Sequence, residues 1–387
     1  MKIMFIPTSY PDKENPVKNI YIYEQAKALA ELGHQIIVLH VQKQPSRALF
    51  RLMNTSIQYN DDGFAVRYSK KMRTFWEGRF PGLNRGSFVR SMKQLFSAAL
   101  KKEGCPDVIY SHFSCWAGYA AVELGRKYNI PVVNIEHYNK FINNRADEDM
   151  IRGLRYVIDN AAHNIAVSGN LQRAMKRLTQ TQREITVVPN MINDGFVYCQ
   201  PVKHDGFVFS AVANLNKGKR FDLLIRSFCE AFAPEEDVRL LIGGSGEMKR
   251  TLLQLIKENQ REHQIQLLGR LNRAQTIQLY QNCDCFALPS AFETFGIVWR
   301  EAMAVGRPVI TTDHGGWSPE EWSEDFGIMI PVDDQCALTD ALKTVRDSYS
   351  SYDLEKISQF ATENYSARII GQRLESLLLQ AVGSVRT

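Results

Sequence analysis

Cys285-Phe286-Ala287-Leu288-Pro289-Ser290-Ala291-Phe292-Glu293-Thr294-Phe295-Gly296-Ile297-Val298-Trp299-Arg300-Glu301-Ala302 reads as strand, turn and helix in immediate succession. Cys285 to Leu288 is a short apolar run stopped by Pro289, the pattern of a buried parallel strand. From Ile297 the pattern turns helical, and Gly306 with Pro308 beyond it closes the helix near Val305. Gly296 lets the backbone approach a ligand closely, and the N–H groups of the first helical turn are open to a phosphate. Glu293 falls in the loop, and Glu301 about two turns further along. A carboxylate accepts hydrogen bonds from paired hydroxyls, so the stretch suits a phosphate flanked by two sugar-like ends. The two glutamates taken alone fit a surface carboxylate and a helix-terminal charge equally well.

Outward from this turn, strands and helices alternate in both directions. Towards the N-terminus come strands at Ile3 to Ile6, Ile36 to Leu39, Val108 to Tyr110, Pro131 to Ile135, Ile165 to Val167 and Ile185 to Val188. Helices at Tyr21 to Leu32, Gly118 to Tyr128 and Leu171 to Leu178 lie between them. A second series starts at Phe207 to Val212 and continues through Leu240 to Ile242, Ile265 to Leu268, Cys285 to Leu288 and Val309-Ile310. Repeated β-α-β order predicts an α/β fold with two Rossmann-like, doubly wound parallel sheets. Asn193 to Gly206 is rich in turn formers, which puts the break there. The expected domains are 1–193 and 207–365, with 194–206 as linker and 366–387 carrying a final helix.

A chain of 387 residues accommodates two such cores. A hydrophobic share of 44% and a charged share of 23% are those of a soluble globular protein. The net charge of +5 is too mild to imply nucleic acid. Seven cysteines are scattered with no paired metal-ligand spacing, and their odd number argues against a disulfide framework. Reduced thiols in a cytoplasmic protein are expected. The run Lys2 to Ile6 before Pro7 is too short for the apolar region of a leader, and no stretch has spanning length.

The turn resembles the E-x7-E element of retaining GT-B glycosyltransferases of the large family-4 group. Leu288-Pro289-Ser290 before it agrees, as do Glu301-Ala302-Met303-Ala304-Val305-Gly306-Arg307-Pro308-Val309-Ile310 and Gly315-Gly316 after it. The resemblance implies two domains facing a central cleft, with the last helix crossing back to the first. It also implies that Glu293 reaches donor sugar hydroxyls, that Glu301 holds the nucleotide ribose, and that the backbone of Thr294, Phe295, Gly296 and Ile297 binds diphosphate. Asn214-Leu215-Asn216-Lys217-Gly218-Lys219-Arg220-Phe221-Asp222 is similar to the family's G-R-L-x-x-x-K-G-x-D segment. That assigns Lys219 to the departing diphosphate, where a cation offsets developing charge. Asn214 stands where arginine is usual and Arg220 where glycine is usual. Gly243-Gly244-Ser245-Gly246-Glu247 and Leu268-Gly269-Arg270-Leu271 resemble nucleotide-bordering segments, which implicates Gly244, Gly246, Arg270 and Leu271.

In the N-terminal half, Pro11 to Tyr23 resembles the first β-α loop, with Asn19 in place of glycine and Tyr21 close by. Asparagine tolerates the left-handed backbone. Ile135-Glu136-His137 matches the position of the family's active-site histidine, and His137 is also readable as a structurally satisfied strand-end residue. Asp147-Glu148-Asp149 has metal-binding spacing, yet it reads more simply as an acidic helix start. No metal or other cofactor is expected, since lysine and helix N-termini meet the diphosphate charge.

Between residues 67 and 102 basic side chains face only Glu77, with Phe75, Trp76, Phe80, Phe88 and Phe96 interleaved. Basic charge with aromatic wedges suits an anionic membrane surface, and core aromatics among solvated charges fit the pattern equally well, whereas no RNA or DNA motif accompanies it. The expected activity is sugar transfer from a nucleotide-sugar such as a UDP-sugar to a saccharide or lipid-linked acceptor. Its expected place is bacterial surface polysaccharide or glycolipid assembly, at the inner face of the membrane. A nucleotide-sugar epimerase and a catalytically silent GT-B partner subunit are the alternatives.

Overall fold

The computed structural model describes residues 1–11, 19–45, 57–61, 63–74, 81–314, 316–318 and 321–386. They divide into two compact units, one of Met1–Met191 with Ala367–Thr387 and one of Ile192–Ser366. The first holds β1 (Lys2–Pro7), α1 (Ile20–Glu31), β2 (Gln35–Pro45), β3 (Gln58–Asp61), β4 (Ala65–Thr74), α2 (Pro81–Glu103) and β5 (Val108–His112). It continues with α3 (Tyr119–Tyr128), β6 (Val132–Glu136), α4 (Glu148–Asn160), β7 (His163–Ala166), α5 (Gly169–Thr179) and β8 (Thr186–Val187). The second begins with β9 (Phe207–Val212), α6 (Phe221–Ala231), β10 (Val238–Gly243), α7 (Lys249–Glu258), β11 (Ile265–Gly269) and α8 (Arg273–Gln281). After these come β12 (Cys285–Ala287), α9 (Ile297–Ala304), β13 (Val309–Thr312), β14 (Gly327–Ile330), α10 (Gln335–Asp347) and α11 (Leu354–Tyr365). A last helix, α12 (Ala367–Arg386), belongs to the first unit.

Both sheets are doubly wound, as the alternation predicts. Among the described residues the first has the order β3-β4-β2-β1-β5-β6-β7-β8, and the second β11-β10-β9-β12-β13-β14. Pairing is parallel throughout except between β3 and β4. Strands β5, β6 and β13 are buried along their whole length, their polar residues Ser111, His112, Asn134, Glu136, Thr311 and Thr312 included. The chain reverses winding direction between β1 and β5 in the first sheet, and between β9 and β12 in the second. In such sheets a crevice opens beyond the carboxyl ends of the strands at the reversal.

The interval from β2 to β5 carries more structure than its sequence suggests. Phe88, Met92, Leu95, Phe96 and Ala99 on α2 are buried and belong to the core of the first unit. Phe88 and Phe96 are therefore core residues and not surface wedges, the second of the two readings of this basic tract. Phe75, Trp76, Glu77, Arg79 and Phe80 lie outside the described residues. Helix α12 packs on α1, where Glu375 Oε1 is 2.8 Å from His34 Nε2.

Residues 194–206, read as a linker, pack within the second unit. Phe196 is buried against Tyr280, with ring centroids 5.8 Å apart. Arg307, fully buried, donates to the carbonyls of Tyr280 at 2.9 Å, Gln281 at 3.0 Å and Cys199 at 3.2 Å. One guanidinium thus satisfies main-chain groups of two segments. Of the thiols, Cys283 and Cys285 are buried, whereas Cys105 and Cys336 are exposed. Arg307→Met should lower unfolding stability by about 3 kcal/mol, because buried carbonyls lose their donor. Urea denaturation reads this directly, and an unchanged midpoint would refute the anchoring role.

Candidate functional site

Strands β9 and β12 are neighbours, so the loops that follow them meet at the reversal point of the second sheet. Ala291 N–H donates to Gly218 O at 2.9 Å. Gly218 lacks a side chain where the Phe292 ring would lie 3.2 Å from a Cβ. The Asn216 side chain braces the same turn by accepting from Gly218 N–H at 3.0 Å. The Lys219 ammonium is thereby carried onto the Glu293 carboxylate, with which it forms an ion pair. Ser290 Oγ reaches the same carboxylate oxygen at 3.4 Å. Both side chains of the pair keep about a fifth of their surface open, 19% and 18%.

Two glycines let the next loop close on this turn. A Cβ on Gly244, at φ 152°, would sit 2.0 Å from Ala213 O, and one on Gly246 2.3 Å from Leu215 O. Leu215 N–H donates to Ser245 O, and Gly244 N–H to Gly269 O. Leu271 closes over Gly243, while Asn214 and Arg270 are exposed. These carboxyl-end loops of β9, β10, β11 and β12 thus gather Asn214, Lys219, Gly244, Gly246, Arg270, Leu271 and Glu293 at one end of one sheet. Arg220 is turned elsewhere: its backbone is left-handed, at φ 56°, and its Nε donates to Asp333 Oδ1 at 2.5 Å.

Gly296, also left-handed at φ 76°, starts α9, and a Cβ there would strike the Trp299 ring at 2.1 Å. This is the position where both backbone angle and packing demand glycine. Thr294, Phe295, Gly296 and Ile297 form the approach to the helix, with Glu293 ahead of it and Glu301 within it. Glu301 is largely buried and accepts from Arg273 Nη1 at 3.0 Å. Three participants were not legible as site residues. Arg273 is far away in sequence, Arg300 hides in an apolar helix, and His314 follows β13. The His314 ring stacks on Trp299 with centroids 5.0 Å apart. Burial, then the charges of Arg300 and Lys219, push its pKa down to about 3.

A second constellation lies at the reversal point of the first sheet. Asn19 takes the left-handed conformation, φ 52°, as the N-cap of α1. Its amide donates to Ser9 Oγ at 2.5 Å, and Tyr21 Oη donates to its Oδ1 at 3.1 Å. The Tyr21 ring packs on His137, centroids 4.6 Å apart. His137 in turn stacks on His112, the last residue of β5, which the sequence did not mark. His112 Nδ1 and His137 Nε2 are 3.4 Å apart, so one nitrogen carries a proton and the other accepts it. Beneath them Glu136 is fully buried, and its carboxylate accepts from the N–H groups of Ser114, His137 and Tyr138 at 2.8, 2.9 and 2.9 Å. Phe113 holds a positive φ of 71°, an uncommon angle for an aromatic residue, just ahead of Ser114.

The acidic and basic tracts have local explanations. Asp147 caps α4 by accepting from Met150 N–H at 2.8 Å, and Asp149 pairs with Arg85 at 2.8 Å. No group of three or more metal-ligating side chains occurs among the described residues. No described helix is long and apolar enough to cross a membrane. On α2, Arg90, Lys93, Gln94, Ser97 and Lys101 line an exposed groove of about 480 Å³.

The family model for glycosyltransferase family 4 matches residues 19–196, and that for glycosyl transferases group 1 matches residues 200–363. Over 182 residues, 46% of the chain, it is 32% identical to the N-acetylgalactosamine-N,N'-diacetylbacillosaminyl-diphospho-undecaprenol 4-alpha-N-acetylgalactosaminyltransferase of Campylobacter jejuni. That match spans 48% of the relative's length. The fold superposes on sucrose-phosphate synthase from Thermosynechococcus elongatus with a TM-score of 0.80 at 17% identity, covering 99% of this chain and all of the other. It superposes on Anabaena Alr3699/HepE in complex with UDP with a TM-score of 0.74 at 18% identity, covering 98% of this chain and 100% of the other.

The buried histidines give the chain an acid sensitivity of stated sign. Burial holds His112 well below the usual histidine range and pushes His137 down to about 3. Below about pH 6.5 the unfolded chain binds protons that the native histidines refuse, so stability is lost as pH falls towards 3. Each such histidine steepens the decline by about 1.4 kcal/mol per pH unit. His137→Gln should give a shallower dependence between pH 6 and 4 in urea titrations. Parallel curves for variant and wild type would contradict the assignment.

Proposed function

Because the chain belongs to the GT-B glycosyltransferases of the family-4 type, we propose that it moves a sugar from a nucleotide-diphosphate sugar to an acceptor hydroxyl with retention at the anomeric carbon. One observation carries the reading: the turn after β9 and the turn after β12 are hydrogen-bonded together, which brings Lys219 onto Glu293 ahead of the helix that holds Glu301. In this reading Glu293 orients the donor sugar through its hydroxyls, and Glu301 takes the ribose. Lys219 and the N–H groups of the Thr294 to Ile297 turn stabilise the departing diphosphate as its charge develops. The incoming hydroxyl attacks on the face that the diphosphate leaves, and the departing phosphate oxygen takes its proton. No protein nucleophile and no metal take part.

His137, with His112 behind it, is a buried neutral hydrogen-bonding group suited to a sugar hydroxyl, and Asn19 and Tyr21 border it. The UDP held by the Anabaena neighbour makes a UDP-sugar the first donor to test. The Campylobacter relative, by its name, acts on a diphospho-undecaprenol-linked saccharide and forms an alpha linkage. This supports a lipid-linked saccharide acceptor and polysaccharide or glycolipid assembly, which we propose to lie at the cytoplasmic face of a bacterial membrane. The exposed Arg90, Lys93 and Lys101 supply the basic face that such a surface attracts.

A second reading rests on Asn214 and Arg220. The first is a neutral exposed amide, and the second is ion-paired with Asp333, so neither meets a diphosphate as an unpaired cation. A silent partner subunit would tolerate both.

Thermal melting against nucleotide diphosphates and nucleotide sugars, without metal, separates the readings. A stabilising shift with one donor, lost in Glu301→Ala, is expected. Lys219→Ala should then lower turnover by about a hundredfold or more. Donor binding without turnover in wild type would favour the silent subunit. Co-sedimentation with anionic liposomes at low salt should fall when Arg90, Lys93 and Lys101 are changed together to Gln, and equal sedimentation would dismiss the membrane contact.

A further inference from the structure

Arg300 is fully buried in the first turn of α9. Its Nη1 donates to the carbonyl of Phe295 and, at 3.3 Å, to that of Gly296. Its Nη2 donates to Gly316 O at 3.0 Å. The guanidinium lies 3.5 Å from the Trp317 ring centroid and 4.1 Å from that of Phe295. Glu321 Oε2, on a side chain 30% exposed, is 3.7 Å from Nη2, and the buried Nε has no acceptor among the described residues. Removing a guanidinium from water is costly, and here the hydrogen bonds to the Phe295, Gly296 and Gly316 carbonyls offset that cost.

The carbonyls it binds are the informative part. A peptide unit is planar and trans, so its N–H points away from its C=O. With the carbonyls of Phe295 and Gly296 drawn to the guanidinium, the N–H groups of Gly296 and Ile297 are turned to the opposite side. A cation on a carbonyl also polarises the N–H across the same peptide, which strengthens it as a donor. Glu293 and Glu301 bracket these peptides. The charge of Arg300 is also felt across the site, since with Lys219 it helps hold His314 in its neutral form.

We infer that Arg300 is a positioning residue for the diphosphate of the donor: it holds the turn by its carbonyls, aims the N–H groups of Gly296 and Ile297 at phosphate, and transmits positive charge through the backbone. This rests on the donor-site reading above. It also supplies, from beneath the turn, positive charge that Asn214 does not offer from the front.

The experiment is calorimetric titration of the full chain with UDP, GDP and ADP, each against its monophosphate. The proteins are wild type, Arg300→Leu, Arg300→Lys and Glu321→Gln. Arg300→Leu should weaken the diphosphate that binds wild type by about tenfold, and its monophosphate by about threefold or less. Arg300→Lys keeps the charge without the fork and should recover part of the loss. Glu321→Gln removes a counter-charge and should tighten the diphosphate by about threefold. Equal weakening of mono- and diphosphate, or none, would reduce Arg300 to a structural staple and overturn the inference. If Arg300→Leu has no cooperative melt, Glu321→Gln decides, and unchanged diphosphate affinity there overturns it. A wild type that binds none of the three diphosphates removes the donor-site reading and this inference together. A wild type that binds while Arg300→Leu binds equally removes this inference alone.

Discussion

Parallel strands cannot be joined by a tight turn, so each neighbour in these sheets is reached by a crossover. Where successive crossovers change direction, two loops are left side by side with no connection overhead. The second sheet reverses between β9 and β12 and the first between β1 and β5. Lys219 and Glu293 follow the two strands at the second reversal, and His137 follows a strand beside the first. Lys219 and Glu293 are distant in sequence and adjacent in space because their strands pair. Asn19 and His112 follow from the same geometry at the other reversal. The topology comes first, and the side chains occupy an opening that it leaves.

Much of this was readable from the chain. The alternating pattern predicts both sheets, and the apolar run before Pro289 with the glycine before Ile297 predicts the turn around which the second site is built. Asn19 is instructive because an asparagine in place of glycine keeps the left-handed backbone that the loop needs. What stayed hidden has physical reasons. Helix α2 carries an apolar stripe of Phe88, Met92, Leu95, Phe96 and Ala99, but its many cations draw attention to the wrong face. The partnership of Glu301 with Arg273, and of Arg220 with Asp333, depends on tertiary placement that no local pattern encodes. Residues 194–206 look like a linker by composition, yet Arg307 gathers their carbonyls into the second unit.

The two constellations handle charge in opposite ways. The histidine cluster of the first unit is kept neutral by burial, and its one buried carboxylate is surrounded by main-chain N–H groups. A neutral hydrogen-bonding surface recognises hydroxyls without favouring ions. The second site is built from formal charges in pairs, Lys219 with Glu293 and Arg273 with Glu301. Such pairs are satisfied before any ligand arrives, and a polyanion entering there exchanges partners instead of meeting bare cations. The two constellations therefore differ in their electrostatics, one kept neutral by burial and one built from ion pairs.

The distribution of thiols has a practical consequence. Cys105 in the first unit and Cys336 in the second are exposed, while Cys283 and Cys285 are sealed in a core. Accessible sulfurs react with maleimides far faster than enclosed ones. The natural chain therefore offers an attachment point for a fluorophore on each compact unit. With the partly exposed thiols changed to serine, energy transfer between dyes on these two positions would follow the units in solution as ligands are added.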